Sequence, residues 1–120
     1  MAKEFHLQIT EIKDNGGYEH IFVGTVGHDV IGRAALYIMD TEAEFRIHLL
    51  PAFQNQGYGY ELGKYTIEKG LEYLDRIWLG FEEGNESAGK LYEKLGFRYT
   101  THQMEKRAER LWTSHTESEL

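Results

Sequence analysis

Hydrophobic and polar positions alternate along the first fifty residues, and then the period changes. Phe5, Leu7 and Ile9 alternate with His6, Gln8 and Thr10, the two-residue period of a half-buried strand. Asp14-Asn15-Gly16-Gly17 is a strong turn signal. Residues 18–26 and 30–39 are rich in β-branched and aromatic side chains, and Gly27-His28-Asp29 between them predicts a hairpin. Asp40-Thr41-Glu42 turns the chain again. Residues 43–50 predict a fourth strand, stopped by Pro51, the one proline.

Beyond the proline the period becomes helical. Gly59, Leu62, Gly63, Thr66, Ile67, Gly70, Leu71 and Leu74 fall on one face of a helix of roughly four turns. Gly63 and Gly70 cost about 1 kcal/mol each against alanine, and close approach to the sheet beneath is the expected compensation. Residues 76–81 read as a buried strand. Strand, helix, strand in this order predicts a crossover with strands four and five parallel. A second helix follows, capped by Asn85 or Ser87, with Ala88, Leu91, Tyr92 and Leu95 inward. Gly96 ends it and Phe97 packs back. Residues 98–105 predict one more strand. The last fifteen residues form either a final strand around 111–113 or a loose tail. The expected fold class is α/β (α+β): a single domain over 1–120 with a mixed central sheet, antiparallel at first and parallel at the βαβ unit.

At 120 residues the chain is long enough for one core without staples. It has no cysteine, which excludes disulfides, Cys-ligated zinc and a cysteine nucleophile, and fits a cytoplasmic protein. No apolar run reaches membrane length, and the first residues do not open a signal peptide. A net charge of −7 argues against nucleic-acid binding and favours solubility and cationic ligands. The six histidines lack metal-ligand spacing, so no metal is expected.

Two segments carry candidate chemistry. The first is Gln54-Asn55-Gln56-Gly57-Tyr58-Gly59, between a strand and a helix. Backbone N–H groups at a helix start are unsatisfied and the dipole end is positive, so phosphate binds there, and glycines let it come close. A lone Gly-x-Gly can equally be a plain turn. The second is 85–97, where Tyr92 lies on the inner face of a helix, a position that also suits simple core packing. Glu44, alternating with Phe45, can equally be a solvated strand position, and Lys90 and Lys94 read as a solvated helix face.

Gln-x-x-Gly-x-Gly after a strand ending in proline, followed by Asn85, Ala88, Leu91-Tyr92 and Leu95-Gly96-Phe97, resembles the GNAT superfamily of acetyl-CoA-dependent N-acetyltransferases. The stretch 43–51 is similar to the branch holding spermidine and ribosomal-protein N-terminal acetyltransferases. The resemblance runs over 18–99. It implies acetyl-CoA as acyl donor, with amides of Gln56, Gly57, Tyr58, Gly59 and Tyr60 on the pyrophosphate and the Gln54 side-chain amide beside them. It implies that strands four and five splay, that backbone near Leu49 and Leu50 pairs with the pantetheine, and that Asn85 bonds the cofactor nearby. It places Tyr92 as general acid and Glu44 facing the acceptor amine.

Such an acceptor needs help. An alkyl amine with a pKa near 10.4 is neutral in about one molecule in a thousand at pH 7, so attack on the thioester requires a base. Glu44 is the first choice and His48, on the same strand face, the second. Without cysteine, direct attack in a ternary complex is expected. A small polyamine-like molecule is the preferred acceptor, a protein N-terminus the second, and a non-catalytic acyl-CoA sensor the reading from outside enzymology. One family feature is missing: only 13–20 separate the first two strands, too few for the usual helix pair. The acceptor side is therefore reduced, and a homodimer, with contacts around 111–112 as one candidate, is the expected way to complete it.

Overall fold

The computed structural model describes residues 6–80, 86–99 and 103–108. The alternating segments become β1 (Leu7–Asp14), β2 (Glu19–Val26), β3 (Asp29–Met39) and β4 (Glu42–Leu49), joined as antiparallel neighbours. Helix α1 (Tyr58–Leu71) leads to β5 (Arg76–Gly80), which pairs with β4 in parallel. Helix α2 (Glu86–Lys94) follows, then β6 (Arg98–Tyr99) and β7 (Gln103–Arg107). The seven-stranded sheet runs β1-β2-β3-β4-β5-β7-β6.

One expectation needs correction. Residues 98–105 are not a single strand. β7 runs antiparallel to both β5 and β6, so the chain reverses between Tyr99 and Gln103. No glycine, proline, asparagine or aspartate marks that reversal, which is why the pattern hid it. The anticipated strand around 111–113 lies outside the described residues. Between β1 and β2 stands only a one-turn 3-10 segment, Asn15–Gly17, and no helix pair.

Both helices lie against one face of the sheet. Phe22, Leu36, Phe45 and Ile77 meet Leu62 and Ile67 of α1 and the residues Leu95 and Phe97 that follow α2. Burying a side chain of this size stabilises by about 1.5–3 kcal/mol. The two helix glycines answer to different neighbours. A Cβ on Gly70 would lie 2.7 Å from Leu36 of the sheet, as expected, whereas on Gly63 it would lie 2.9 Å from Leu95 beyond α2. Gly63 therefore makes room chiefly for Leu95, with Phe45 of the sheet in ordinary contact at 3.6 Å.

The other face, with Ile12 paired to Ile21, carries no helix among the described residues, and Ile12 is 46% exposed. This face also holds the ion network that fixes β4, β5 and β7. Arg76 Nε donates to Glu105 at 2.6 Å, Arg76 also reaches Glu42 at 3.3 Å, and Arg107 donates to the second Glu105 oxygen at 3.0 Å. Burial alone would push the Glu105 carboxyl up, but its two arginine partners hold it below the usual carboxylate range.

Above that network the parallel strands part. β4 and β5 pair only at Glu42↔Arg76, Ala43↔Ile77 and Glu44↔Trp78. From there β5 stays with β7 (Leu79↔Met104, Gly80↔Gln103), while β4 stays with β3 as far as Leu49↔Gly32. The β5-facing edge of 45–49 is left without a strand partner among the described residues, and the site opens along it.

Candidate active site

The loop after β4 delivers the N-terminus of α1 to the mouth of this gap. Asn55 and Gly57 have positive φ, 61° and 90°. Gly57 is the residue preceding the helix, and its left-handed conformation costs a glycine little. No side chain caps the helix, and the first intrahelical bond, Glu61 N–H to the Gly57 carbonyl at 3.2 Å, leaves the preceding amides unpaired by the helix itself. Two glutamines brace the loop. Gln54 Nε2 donates to the Leu49 carbonyl at 3.0 Å and Gln56 Nε2 to the Ala52 carbonyl at 2.8 Å.

A cleft of about 540 Å³ runs from this loop along β4 to α2. Its walls include Gly57, Gly59 and Tyr60 from α1 and its cap, Ile47, His48 and Leu49 from β4, and Leu91 and Tyr92 from α2. That volume lies within the range of ligand pockets, about 300–1,000 Å³. A Cβ on Gly59 would lie 3.2 Å from Leu49 and 3.7 Å from Leu91, so the small residue keeps the helix start close to both walls.

Tyr92 is half-buried, with its ring edge-on to Phe97 at 6.2 Å. Its position is fixed from the backbone: Phe97 N–H donates to the Tyr92 carbonyl and Gly96 N–H to that of Glu93, both at 3.0 Å, closing α2 as predicted. Burial pushes the phenol pKa up, so it remains protonated at neutral pH. Its hydroxyl has no hydrogen-bond partner among the described residues.

On the helix-free face a smaller depression of about 210 Å³ adjoins the cleft, and the two share Ile47 and His48. Its other walls are Arg33, Ala35 and Tyr37 of β3 and Arg46 of β4. Glu44 lines neither cavity. Its carboxylate accepts from Arg46 at 3.2 Å, and the Arg46 guanidinium lies 5.2 Å from the centre of the Tyr37 ring.

Residues 2–97 match the model of the Acetyltransferase (GNAT) family. The chain belongs to the GNAT family. It is 33% identical over 89 residues to the [ribosomal protein bS18]-alanine N-acetyltransferase of Haemophilus influenzae, covering 72% of this chain and 60% of that protein. A further relative, an uncharacterized N-acetyltransferase of Lactobacillus delbrueckii, is 39% identical over 59 residues, 48% of this chain and 34% of that one. The chain thus spans less than two thirds of the length of these curated relatives. Among solved structures, the spermidine N-acetyltransferase of Vibrio cholerae in complex with CoA and spermine superposes with a TM-score of 0.73 at 21% identity, over 82% of this chain and 70% of that one. A Bacillus subtilis acetyltransferase in complex with CoA gives 0.71 at 20% identity, over 80% and 79%. At such identities the likeness establishes the fold.

Within this GNAT domain the predicted site residues separate into groups. Leu49, Gln54, Gly57, Gly59, Tyr60 and Tyr92 meet in one cleft. Gln56 and Tyr58 sit behind it: Gln56 braces the loop and Tyr58 is buried, edge-on to Phe53 at 6.4 Å. Leu50 turns away, since its N–H donates to Ile31 of β3 at 2.8 Å. The Leu49 carbonyl accepts from Gln54, so the open strand edge is concentrated before it. Asn85 lies outside the described residues. Glu44 is on the expected strand face but not in the cleft.

Two residues that the sequence reading assigned to a solvated helix face are exposed and also border the site. Lys90 and Lys94 line the cleft, and Lys94 Nζ lies 5.4 Å from the Tyr60 ring centre. Their spacing of four, beside the inward stripe of α2, was the available signal. It becomes informative only when that flank is known to face an anion-binding loop. Among the described residues no cluster of metal-ligating side chains occurs, and no helix is long and apolar enough to cross a membrane.

Proposed function

We propose that this GNAT domain transfers an acetyl group from acetyl-CoA to a primary amine. The observation that carries the proposal is the cleft joining an uncapped helix start, an unpaired strand edge and a protonated, half-buried tyrosine. Amides at 57–60 would hold the pyrophosphate, supported by Lys90 and Lys94. The β4 edge would run beside the pantetheine amides as a strand partner.

The amine nitrogen attacks the thioester carbonyl carbon, forming the C–N bond as an oxyanion develops. Collapse of that intermediate breaks the C–S bond. The Tyr92 phenol gives its proton to the departing sulfur, and the proton lost from the amine passes to a base. His48 takes this base role in place of Glu44, because it lines both cavities while Glu44 is engaged with Arg46. Tyr92 is reprotonated from solvent. Direct attack leaves no acyl-enzyme.

Two finer readings concern the acceptor and the assembly. A protein N-terminus is favoured by the 33% identical relative, whose name specifies a ribosomal-protein alanine. The polyamine reading is echoed by fold neighbours at 21–22% identity. A twofold homodimer would cover the helix-free sheet face and complete the acceptor wall. Light scattering that gives a monomer at micromolar concentration and full activity removes the shared-site idea.

The test of the function is amine-dependent thiol release from acetyl-CoA. Direct transfer predicts initial-rate lines that intersect when both substrates are varied. Tight acetyl-CoA binding with no release for any amine would instead make the domain an acyl-CoA-binding module.

A further inference from the structure

The depression on the helix-free face differs in charge from the molecule that carries it. The chain has a net charge of −7, yet the charged walls here are Arg33 and Arg46. Cross-strand register sets this arrangement. On this face Arg33 is opposite His48, Ala35 opposite Arg46, and Tyr37 opposite Glu44. Ala35 is 2% exposed and forms the floor, its small side chain leaving the space that larger neighbours surround.

The two arginines are held differently. Arg46 is fixed between the Tyr37 ring and the Glu44 carboxylate. Arg33 is exposed and forms no ion pair among the described residues. Glu44 cancels one of the two positive charges, so the cluster carries a net charge of one. A guanidinium has five N–H donors in a fixed fork that matches a carboxylate, and one contact to Glu44 leaves most of the Arg46 fork open.

Resting on the acetyl-transfer reading, we infer that this depression is the acceptor subsite and that the acceptor is a primary amine carrying a carboxylate. The carboxylate lies between Arg33 and Arg46, and the amine reaches the wall at Ile47 and His48 shared with the acetyl-CoA cleft. At about 210 Å³ the depression is smaller than a typical ligand pocket, about 300 Å³ or more, which suits one residue-sized group. A polycation would bring its charges against two guanidinium groups. Two sources share this chemistry: a free amino acid, or a peptide N-terminus followed by an acidic side chain.

The experiment compares matched acceptors that differ only in carboxylate against carboxamide. The pairs are alanine with alaninamide, and Ala-Glu with Ala-Gln peptides amidated at the C-terminus, and spermidine serves as the cationic control. The inference predicts at least a tenfold higher kcat/KM for the carboxylate member, and a ratio that collapses toward one in the Arg33→Ala/Arg46→Ala double variant. Acetyl-CoA binding by calorimetry reports that the variant is folded. The amino-acid pair and the peptide pair distinguish the two sources. Equal rates within each pair, a ratio that survives the double substitution, or spermidine as the best acceptor would overturn the inference. If no amine turns over, the acetyl-transfer reading fails by itself. The subsite is then decided by calorimetric binding of amidated Ala-Glu and of alanine, at least one of which must be present in the wild type and lost in the double variant.

Discussion

The two sides of the splayed strands are built from different materials. On the helix side the site is mostly backbone: unpaired amides at the start of α1, an open edge of β4, and glycines that allow close approach. On the opposite side it is mostly side chain, with Arg33, Tyr37, Arg46 and His48 arrayed by register. Backbone recognition suits a donor that does not vary. Side-chain recognition can be altered one residue at a time without disturbing the fold. On the proposed reading, this contrast would let the acceptor change while the acyl donor stays the same.

Tyr92 is the point where the comparison breaks most severely, because in the proposed reaction it is the donor-side side chain that moves a proton. Tyr92→Phe keeps the ring and its contact with Phe97 but removes the phenol. Turnover should fall roughly 10²-fold or more with little change in acetyl-CoA affinity. Turnover at the wild-type rate would return Tyr92 to core packing.

His48 separates the two candidate bases on the acceptor side. His48→Gln should lower kcat/KM by about 10- to 10²-fold. Glu44→Gln should act more weakly, through the freed Arg46. The reverse order of effects would restore the carboxylate as base.

The backbone side has its own variant. Gly57→Pro removes an N–H and forces φ to about −65°, against 90° in the structure. Acetyl-CoA affinity should fall about tenfold or more. Unchanged affinity in a folded variant, measured by calorimetry, would remove the loop from the site.

The smallest effect lies outside both regions and checks that acid sensitivity is not misread as catalysis. His20 is buried at 5% exposure, stacks on Phe22 at 4.3 Å and shares a 2.8 Å hydrogen bond with Tyr73. Its Nε2 has no hydrogen-bond partner among the described residues and is 3.8 Å from Glu11. Burial lowers its pKa, only partly opposed by Glu11 and reinforced by Lys13 and Lys69. The unfolded chain takes up a proton near pH 6.5 and the folded chain resists it, so acid favours unfolding. Stability present above pH 6.5 should be lost as pH falls below it. Thermal melts at pH 7.5 and 5.5 should show a larger drop for the wild type than for His20→Gln; equal drops would remove His20 as the cause.

The residues that meet in the cleft were legible in the sequence and those around the smaller depression were not, for the same reason. Gly57, Gly59 and the 3.6-residue face of α1 are local signals, readable without knowing what lies across the sheet. The Arg33–His48 and Ala35–Arg46 pairs join residues about ten to fifteen apart, and they face one cavity only in one register. Glu44 illustrates the limit. Its strand and face were both correctly read, but its partner Arg46 lies two residues on along the same face, and the paired carboxylate lines neither cavity. The β6–β7 reversal shows the same limit, because it is imposed by pairing with β5 rather than by turn residues.

A crystal structure of the acetyl-CoA complex tests the central claim most directly. The account places the pyrophosphate against the amides at 57–60, the pantetheine along the β4 edge before Leu49, and the thioester sulfur within hydrogen-bond reach of the Tyr92 hydroxyl, about 3 Å. The acetyl carbonyl then faces the cavity bounded by His48. A pyrophosphate bound away from the start of α1, or a sulfur beyond reach of Tyr92, would contradict it.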